Sequence, residues 1–202
     1  MKAPLISIAA LAVLGAAAAP AHADTFDGPY VGVTAGWERS EIADRIEARP
    51  ITGEASRDSL VLGGYAGYNL KATDRIVIGA EAGFTVAADD TVRATSAGRP
   101  LSIDPRYSFD LSARAGYLVT DKALVYVRAG YANSRVRTTF GPATGAPVVT
   151  SDNLDGWQVG GGLEYAISDR ISARAEYRYS DLGNNGGRYD RHQTLVGVSY
   201  NF

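Results

Sequence analysis

Ser168-Asp169-Arg170-Ile171-Ser172-Ala173-Arg174-Ala175-Glu176-Tyr177-Arg178-Tyr179 reads as a tight turn followed by strict alternation. Ile171, Ala173, Ala175, Tyr177 and Tyr179 share one parity; Ser172, Arg174, Glu176 and Arg178 share the other, the period of two that a β-strand imposes. The turn recurs as Thr73-Asp74-Arg75 and Thr120-Asp121-Lys122, so the three copies stand 47 and 48 residues apart. A tyrosine precedes each copy, at Tyr68, Tyr117 and Tyr165, and seven positions beyond each turn aspartate stand Glu81, Arg128 and Glu176. The repeating unit is therefore a hairpin with one charged face.

Eight alternating segments follow from this pattern: 29–40, 57–70, 75–87, 106–119, 123–138, 155–167, 171–180 and 190–202. Brief turns near 72, 121 and 169 alternate with polar loops at 41–56, 88–105, 139–154 and 181–189. Most segments exceed the roughly 9–11 residues that a tilted strand needs to cross a bilayer. The fold expected is all-β: an eight-stranded antiparallel up-and-down transmembrane barrel.

Two details turn the apolar face outward. Trp37, Phe84, Phe109, Tyr131, Trp157 and Tyr179 lie towards the loops, and Tyr68, Tyr117, Tyr165 and Tyr200 towards the turns. Rings at two levels are what two membrane interfaces select. The polar face is laced with glycine, including Gly32, Gly63, Gly79, Gly160 and Gly162. Such positions leave room inside a narrow barrel for long side chains from neighbouring strands. The alternative, a soluble barrel with its charges outside, would want its aromatic bulk at mid-strand. The lumen should then hold Glu38, Glu81, Asp110, Glu164 and Glu176 against Arg114, Arg128, Arg174 and Arg178. These charges either plug the barrel or gate a narrow conductance, and the plug is the favoured reading. Removing one partner, as in Glu176→Ala, should cost more than any loop change.

The amino end predicts export. Met1-Lys2, an apolar stretch from Leu5 to Ala19 and Ala21-His22-Ala23 make a secretory leader, residues 1–23, with the barrel domain spanning 24–202. The apolar stretch is too short for a spanning helix. Without Lys2 the formal charge falls from −2 to −3, which argues against a nucleic-acid partner. The chain has no cysteine, which excludes disulfides and a lipid-modified amino-terminal cysteine.

Catalysis finds little support. The proposed mature chain has one histidine, His192, with no convincing serine and acid to complete a triad, so it reads as a rim residue. Gly160-Gly161-Gly162 lies inside a strand and opens no helix, so it is no phosphate loop. Asp89-Asp90 and Asp152-Asn153 with Asp155 read as solvated loop acids before a calcium site. No cofactor or metal is expected. Arg135, Arg137, Arg188 and Arg191 stand where a rim would meet lipopolysaccharide phosphates.

With the leader, the meander, the turns and the terminal Val196-Gly197-Val198-Ser199-Tyr200-Asn201-Phe202, the chain resembles the small outer-membrane β-barrel family of Gram-negative bacteria, on its opacity-protein and Omp25/Omp31-like branch. The resemblance implies residence in the outer membrane, contact with its lipid and lipopolysaccharide, and an assembly signal at Tyr200 and Phe202 read by the barrel-insertion machinery. It departs from the OmpA pattern in stopping at the barrel, without a periplasmic peptidoglycan-binding domain. A structural envelope role is expected first; a loop-borne adhesin for an external ligand and a small-solute pore are the alternatives.

Overall fold

The computed structural model describes residues 25–43, 55–87, 92–96, 99–140, 148–182 and 188–202. Nine strands follow in chain order: β1 (Gly28–Ala43), β2 (Ala55–Lys71), β3 (Ile76–Ala87), β4 (Val92–Ser96), β5 (Arg99–Thr120), β6 (Ala123–Phe140), β7 (Val148–Ala166), β8 (Ile171–Asp181) and β9 (Arg188–Asn201). Every neighbouring pair is antiparallel, and β3 pairs with β5 while β1 pairs with β9. The ring therefore closes through eight strands.

β4 stands outside that ring. The inner half of β5 pairs with β3 from Ser108 to Tyr117, and its outer half pairs with β4 from Arg99 to Ile103. The segment 88–105, expected as a polar loop, thus contributes a hairpin that continues the wall. Val92 opposite Ile103 and Ala94 opposite Leu101 supply its apolar parity. β6 and β7 also run on, still paired from Thr138 with Thr150 to Phe140 with Val148. The expected loop 139–154 is accordingly strand from 148 onward, which places Asp152 and Asn153 in β7 beside Asp155. β5, β6 and β7 reach 22, 18 and 19 residues, so they overshoot the bilayer.

Following inward residues around the ring gives the shear. Tyr30 pairs with Gly67, then Glu81, Ser112, Gly130, Gln158, Ser180 and Arg191, and returns to β1 at Ser40. Ser40 is ten residues beyond Tyr30, so the strands are strongly staggered and tilted, as closure of a small barrel requires.

The repeated turn phrase has a local cause. Thr73 Oγ1 accepts from the backbone N–H groups of Arg75 at 3.3 Å and Ile76 at 3.0 Å. Ser168 Oγ accepts likewise from Arg170 at 3.4 Å and Ile171 at 3.2 Å, and Thr120 Oγ1 from Lys122 at 3.3 Å. A hydroxyl at the first turn position satisfies donors that the reversing chain would otherwise leave unpaired. The start of β1 and the end of β9 lie at this same end of the barrel, where the Phe202 N–H donates to the Pro29 carbonyl at 3.1 Å. The even ring and brief turns identify it as the periplasmic end.

The outer wall is apolar. Trp37, Tyr68, Phe84, Phe109, Tyr117, Tyr131, Trp157, Tyr165 and Tyr200 are exposed, with Val33, Leu62, Leu111, Val127, Leu163 and Val196 between the two aromatic levels. Tyr179, also expected in the girdle, is half-covered by Trp157, with ring centroids 5.5 Å apart. Tyr107 and Tyr177 join the exposed rings. A wall with this much exposed aliphatic surface is stable only against hydrocarbon.

Candidate functional site

The expected interior set is buried throughout: Glu38, Glu81, Asp110, Glu164 and Glu176, with Arg114, Arg128, Arg174 and Arg178. Glu81, 1% exposed, sits at its centre. Its carboxylate meets Arg174 Nη1 at 2.5 Å, Arg128 Nη1 at 2.7 Å, Arg178 Nη2 at 3.7 Å and Arg114 Nη1 at 3.8 Å. Four guanidiniums around one carboxylate would repel one another. Arg174 keeps both of its bonds on Glu81, and the other three are held because each also reaches a second carboxylate. Arg128 reaches Asp110 at 2.5 Å and Glu176 at 3.2 Å, Arg178 reaches Asp110 at 3.2 Å and also Glu176, and Arg114 reaches Glu164 at 2.8 Å.

Glycines make this possible. A Cβ on Gly160 would stand 3.3 Å from the Cγ atoms of both Arg128 and Arg178, and one on Gly83 would strike the Asp110 carboxylate. On the register, Gly160 lies directly between Arg128 of β6 and Arg178 of β8. Its missing side chain is the space that the two guanidinium stems occupy.

Three interior tyrosines complete the network and were not singled out from the sequence. Tyr30 donates to Glu81 at 2.9 Å, Tyr126 donates to Glu176, and Tyr65 shares a hydrogen bond with Ser199 at 2.8 Å. Their faces also carry cations: Arg174 lies 3.4 Å from the Tyr65 centroid and Arg114 lies 4.2 Å from that of Tyr126. The signal was available, since Tyr65 shares its parity with Gly63 and Gly67, as Tyr30 does with Gly32.

Below the charges the lumen is apolar. Phe26, fully buried, packs with Val77, Leu118, Leu124, Tyr126 and Ala166 across the periplasmic mouth. The chain on either side of it is pinned: Thr25 Oγ1 donates to the Asp169 carbonyl at 3.1 Å, and Asp27 accepts from the Lys71 N–H at 3.1 Å. This stopper was not foreseen.

Two expectations need correction. Glu38 does face the lumen but joins no ion pair of the network; it accepts from Gln193 Nε2 at 2.8 Å and Ser40 at 3.2 Å. Arg191, expected at the outer rim near lipopolysaccharide, points inward, 3% exposed, and donates to Ser108 Oγ at 2.9 Å. Parity decides its direction, because Arg191 shares a face with Gln193 and Leu195, both buried. Arg135 is exposed at the rim, bonded to Tyr107 Oη at 3.3 Å, while the side chains of Arg137 and Arg188 fall outside those described.

Outside the lumen, His192 shares a hydrogen bond with Tyr177 Oη through Nδ1 at 2.7 Å and packs on Tyr179 at 5.1 Å. This is an aromatic cluster on the outer wall. At the rim, hydrogen bonds from Arg39 and then Trp37 hold the Asp58 carboxyl below its usual range, with Arg39 Nε at 2.9 Å. Asp89 and Asp90 lie outside the described residues, and among the described residues no three candidate ligands gather into a metal site. Tyr200 and Phe202 pack edge to face at 5.1 Å, both exposed on the outer wall.

A family model described as an outer membrane protein beta-barrel domain matches residues 8–202. The 31 kDa outer-membrane immunogenic protein of Brucella melitensis is 28% identical over 209 residues, covering 92% of this chain and 87% of its own length. Among solved structures, the attachment invasion locus protein of Yersinia pestis aligns over 87% of this chain and 99% of its own at a TM-score of 0.57 and 13% identity. Neisserial surface protein A aligns over 87% and 98% at 0.55 and 18%. At those identities the structures speak for the fold alone. The closed ring of eight strands, its apolar wall and the full-length family match lead to one conclusion: the chain is a member of the outer membrane protein beta-barrel domain family and resides in the outer membrane.

Proposed function

We propose that this protein is a non-catalytic structural element of the outer membrane, a filled barrel that anchors extended hairpins at the cell surface. One observation carries the reading. The lumen is crossed by the Glu81 network and closed beneath it by Phe26, so side chains occupy the path a solute would take. An eight-stranded barrel has width only for its own side chains. The wall takes acyl chains, and the rim arginine Arg135 takes lipopolysaccharide phosphates. Tyr200 and Phe202, at the end of the last strand, serve the insertion machinery.

Planar-bilayer recording of protein already shown to be heat-modifiable on gels tests this reading. The expected trace is silent. A steady, voltage-independent conductance that scales with inserted protein would instead support the small-solute pore.

A loop-borne adhesin is the second reading, and the overshoot of β5, β6 and β7 favours it. Strands that continue past the membrane present an already paired backbone, which lowers the ordering cost of binding. The immunogenic designation of the Brucella relative fits surface display. Shortening the β6–β7 hairpin and scoring attachment of cells separates a ligand-binding role from a purely structural one.

A further inference from the structure

The lipid-facing wall is hollowed across β8, β9 and β1. One outward row in direct register runs Leu163, Ala175, Val196, Ala35 and Leu62, so small side chains stand between two leucines. One step nearer the periplasm the row Tyr165, Ala173 and Val198 repeats the profile, with a ring beside an alanine. The depression these rows line has a volume of about 810 Å³ and an almost wholly apolar surface. Bulkier rows close both ends. Tyr177 and Trp37 flank Thr194 on the extracellular side, and Ile171 and Tyr200 stand side by side at the periplasmic one. Tyr200 and Thr194 are six residues apart on a tilted strand, about 15 Å along the membrane normal. That is half of a hydrocarbon core roughly 30 Å thick, so the hollow is one leaflet tall.

The foot of the hollow carries a positive charge. Arg170, exposed in the turn before β8, extends Nη1 to Tyr200 Oη at 3.4 Å and joins no ion pair among the described residues. Its guanidinium therefore stands at headgroup level with donors to spare. An apolar hollow one leaflet tall above an uncompensated cation is complementary to a lipid whose tail is apolar and whose head is negative. The charge lies at the periplasmic end, away from the rim that faces lipopolysaccharide. We propose that β8, β9 and β1 bind an anionic glycerophospholipid of the periplasmic leaflet, with an acyl chain in the hollow and its phosphate at Arg170. Guanidinium and phosphate form strong charge-assisted hydrogen bonds, and the alanines let the chain lie closer to the wall than a row of leucines would. The site is independent of whether the lumen conducts or the loops bind a ligand.

Native mass spectrometry of the full folded protein, released in mild detergent from vesicles of mixed phosphatidylglycerol and phosphatidylcholine, tests the proposal. Wild type retains one phosphatidylglycerol in preference to phosphatidylcholine. Arg170→Gln lowers that preference about fivefold, the worth of one basic side chain at a lipid surface. Arg75→Gln, at the matching position of another turn, leaves it unchanged. Ala173→Leu fills the hollow and lowers retention of both lipids, whereas Ala113→Leu, on an outward alanine of β5, does not. Heat modification on gels confirms that each variant is folded. Equal retention of the two lipids by wild type, equal effects of the two arginine variants, equal effects of the two leucine variants, or a dimer in place of the lipid adduct overturns the proposal.

Discussion

Glu81 of β3 and Arg174 of β8 meet across the lumen at 2.5 Å although 93 residues separate them in sequence. β3 and β8 are not neighbours in the wall, so this bond is a strut between opposite sides of the ring. Arg174 is further clamped over the Tyr65 ring of β2.

The strut predicts a severe penalty for half of it. Glu81→Ala should cost about 3–5 kcal/mol, as expected when one partner of a buried ion pair is removed. Urea unfolding in lipid bilayers measures it. Because four guanidiniums lose their common acceptor, the loss should exceed that of Glu38→Ala, whose carboxylate holds only neutral groups. Equal losses would contradict the central place given to Glu81.

The opposite face has its own sensitive position. Ala175 faces outward between Leu163 of β7 and Val196 of β9, so Ala175→Arg should cost about 2–4 kcal/mol near the bilayer midplane. The same unfolding assay reports it. A neutral outcome would mean that the wall has been assigned the wrong polarity.

Adjacent glycines should respond differently. Gly160→Ala drives its Cβ to 2.7 Å from the Tyr177 carbonyl and against two arginine stems, whereas Gly161→Ala meets nothing nearer than the Tyr126 carbonyl at 3.2 Å. The first should lose about 1–3 kcal/mol as an overpacked interior does. The second should keep its heat-modification midpoint close to wild type.

Truncating the stopper tests the periplasmic end. Phe26→Ala should lose about 3–5 kcal/mol, the range for a buried phenylalanine. Amide exchange should accelerate at Val77, Leu118 and Leu124, which Phe26 covers, before it changes at the rim.

The rim pair sets a pH response. Asp58 has a carboxyl constant lowered by Arg39 in the folded state, so its contribution to stability is present above the unfolded value of about 3.9 and is lost as pH falls through the folded one. The residue is exposed, so the effect is small and salt-sensitive. Asp58→Asn should flatten that part of the acid limb while leaving stability near neutral pH little changed. Unfolding midpoints taken between pH 5 and pH 2, ranges of about the carboxylate titration, read it out.

The wall was legible because lipid imposes one rule along it. From Ile171 to Tyr179 apolar and polar residues alternate without a break, and the structure keeps that parity. The rule weakens wherever lipid or lumen ends. In β9 the parity is clear from Val196 to Phe202, but Leu195 points inward while His192 and Thr194 point outward, so the alternation blurs at the loop end, where Arg191 reads as a rim residue. Beyond the membrane, Pro100 and Pro105 punctuate β5 and mask its pairing with β4. The interior tyrosines were obscured for the same reason: a ring bearing a hydroxyl suits both an interface and an ion network, and only its neighbours tell them apart.

Ring closure through β1 and β9 governs the order of events in biogenesis. Ribosomes make the amino end first, yet Gly28–Ala43 finds one of its two strand partners only in Arg188–Asn201, the final 14-residue strand. Until that segment emerges, the nascent polypeptide carries a hydrogen-bonding edge that invites aggregation. Stepwise folding during translocation therefore cannot yield the finished cylinder; closure waits until the last strand has been delivered.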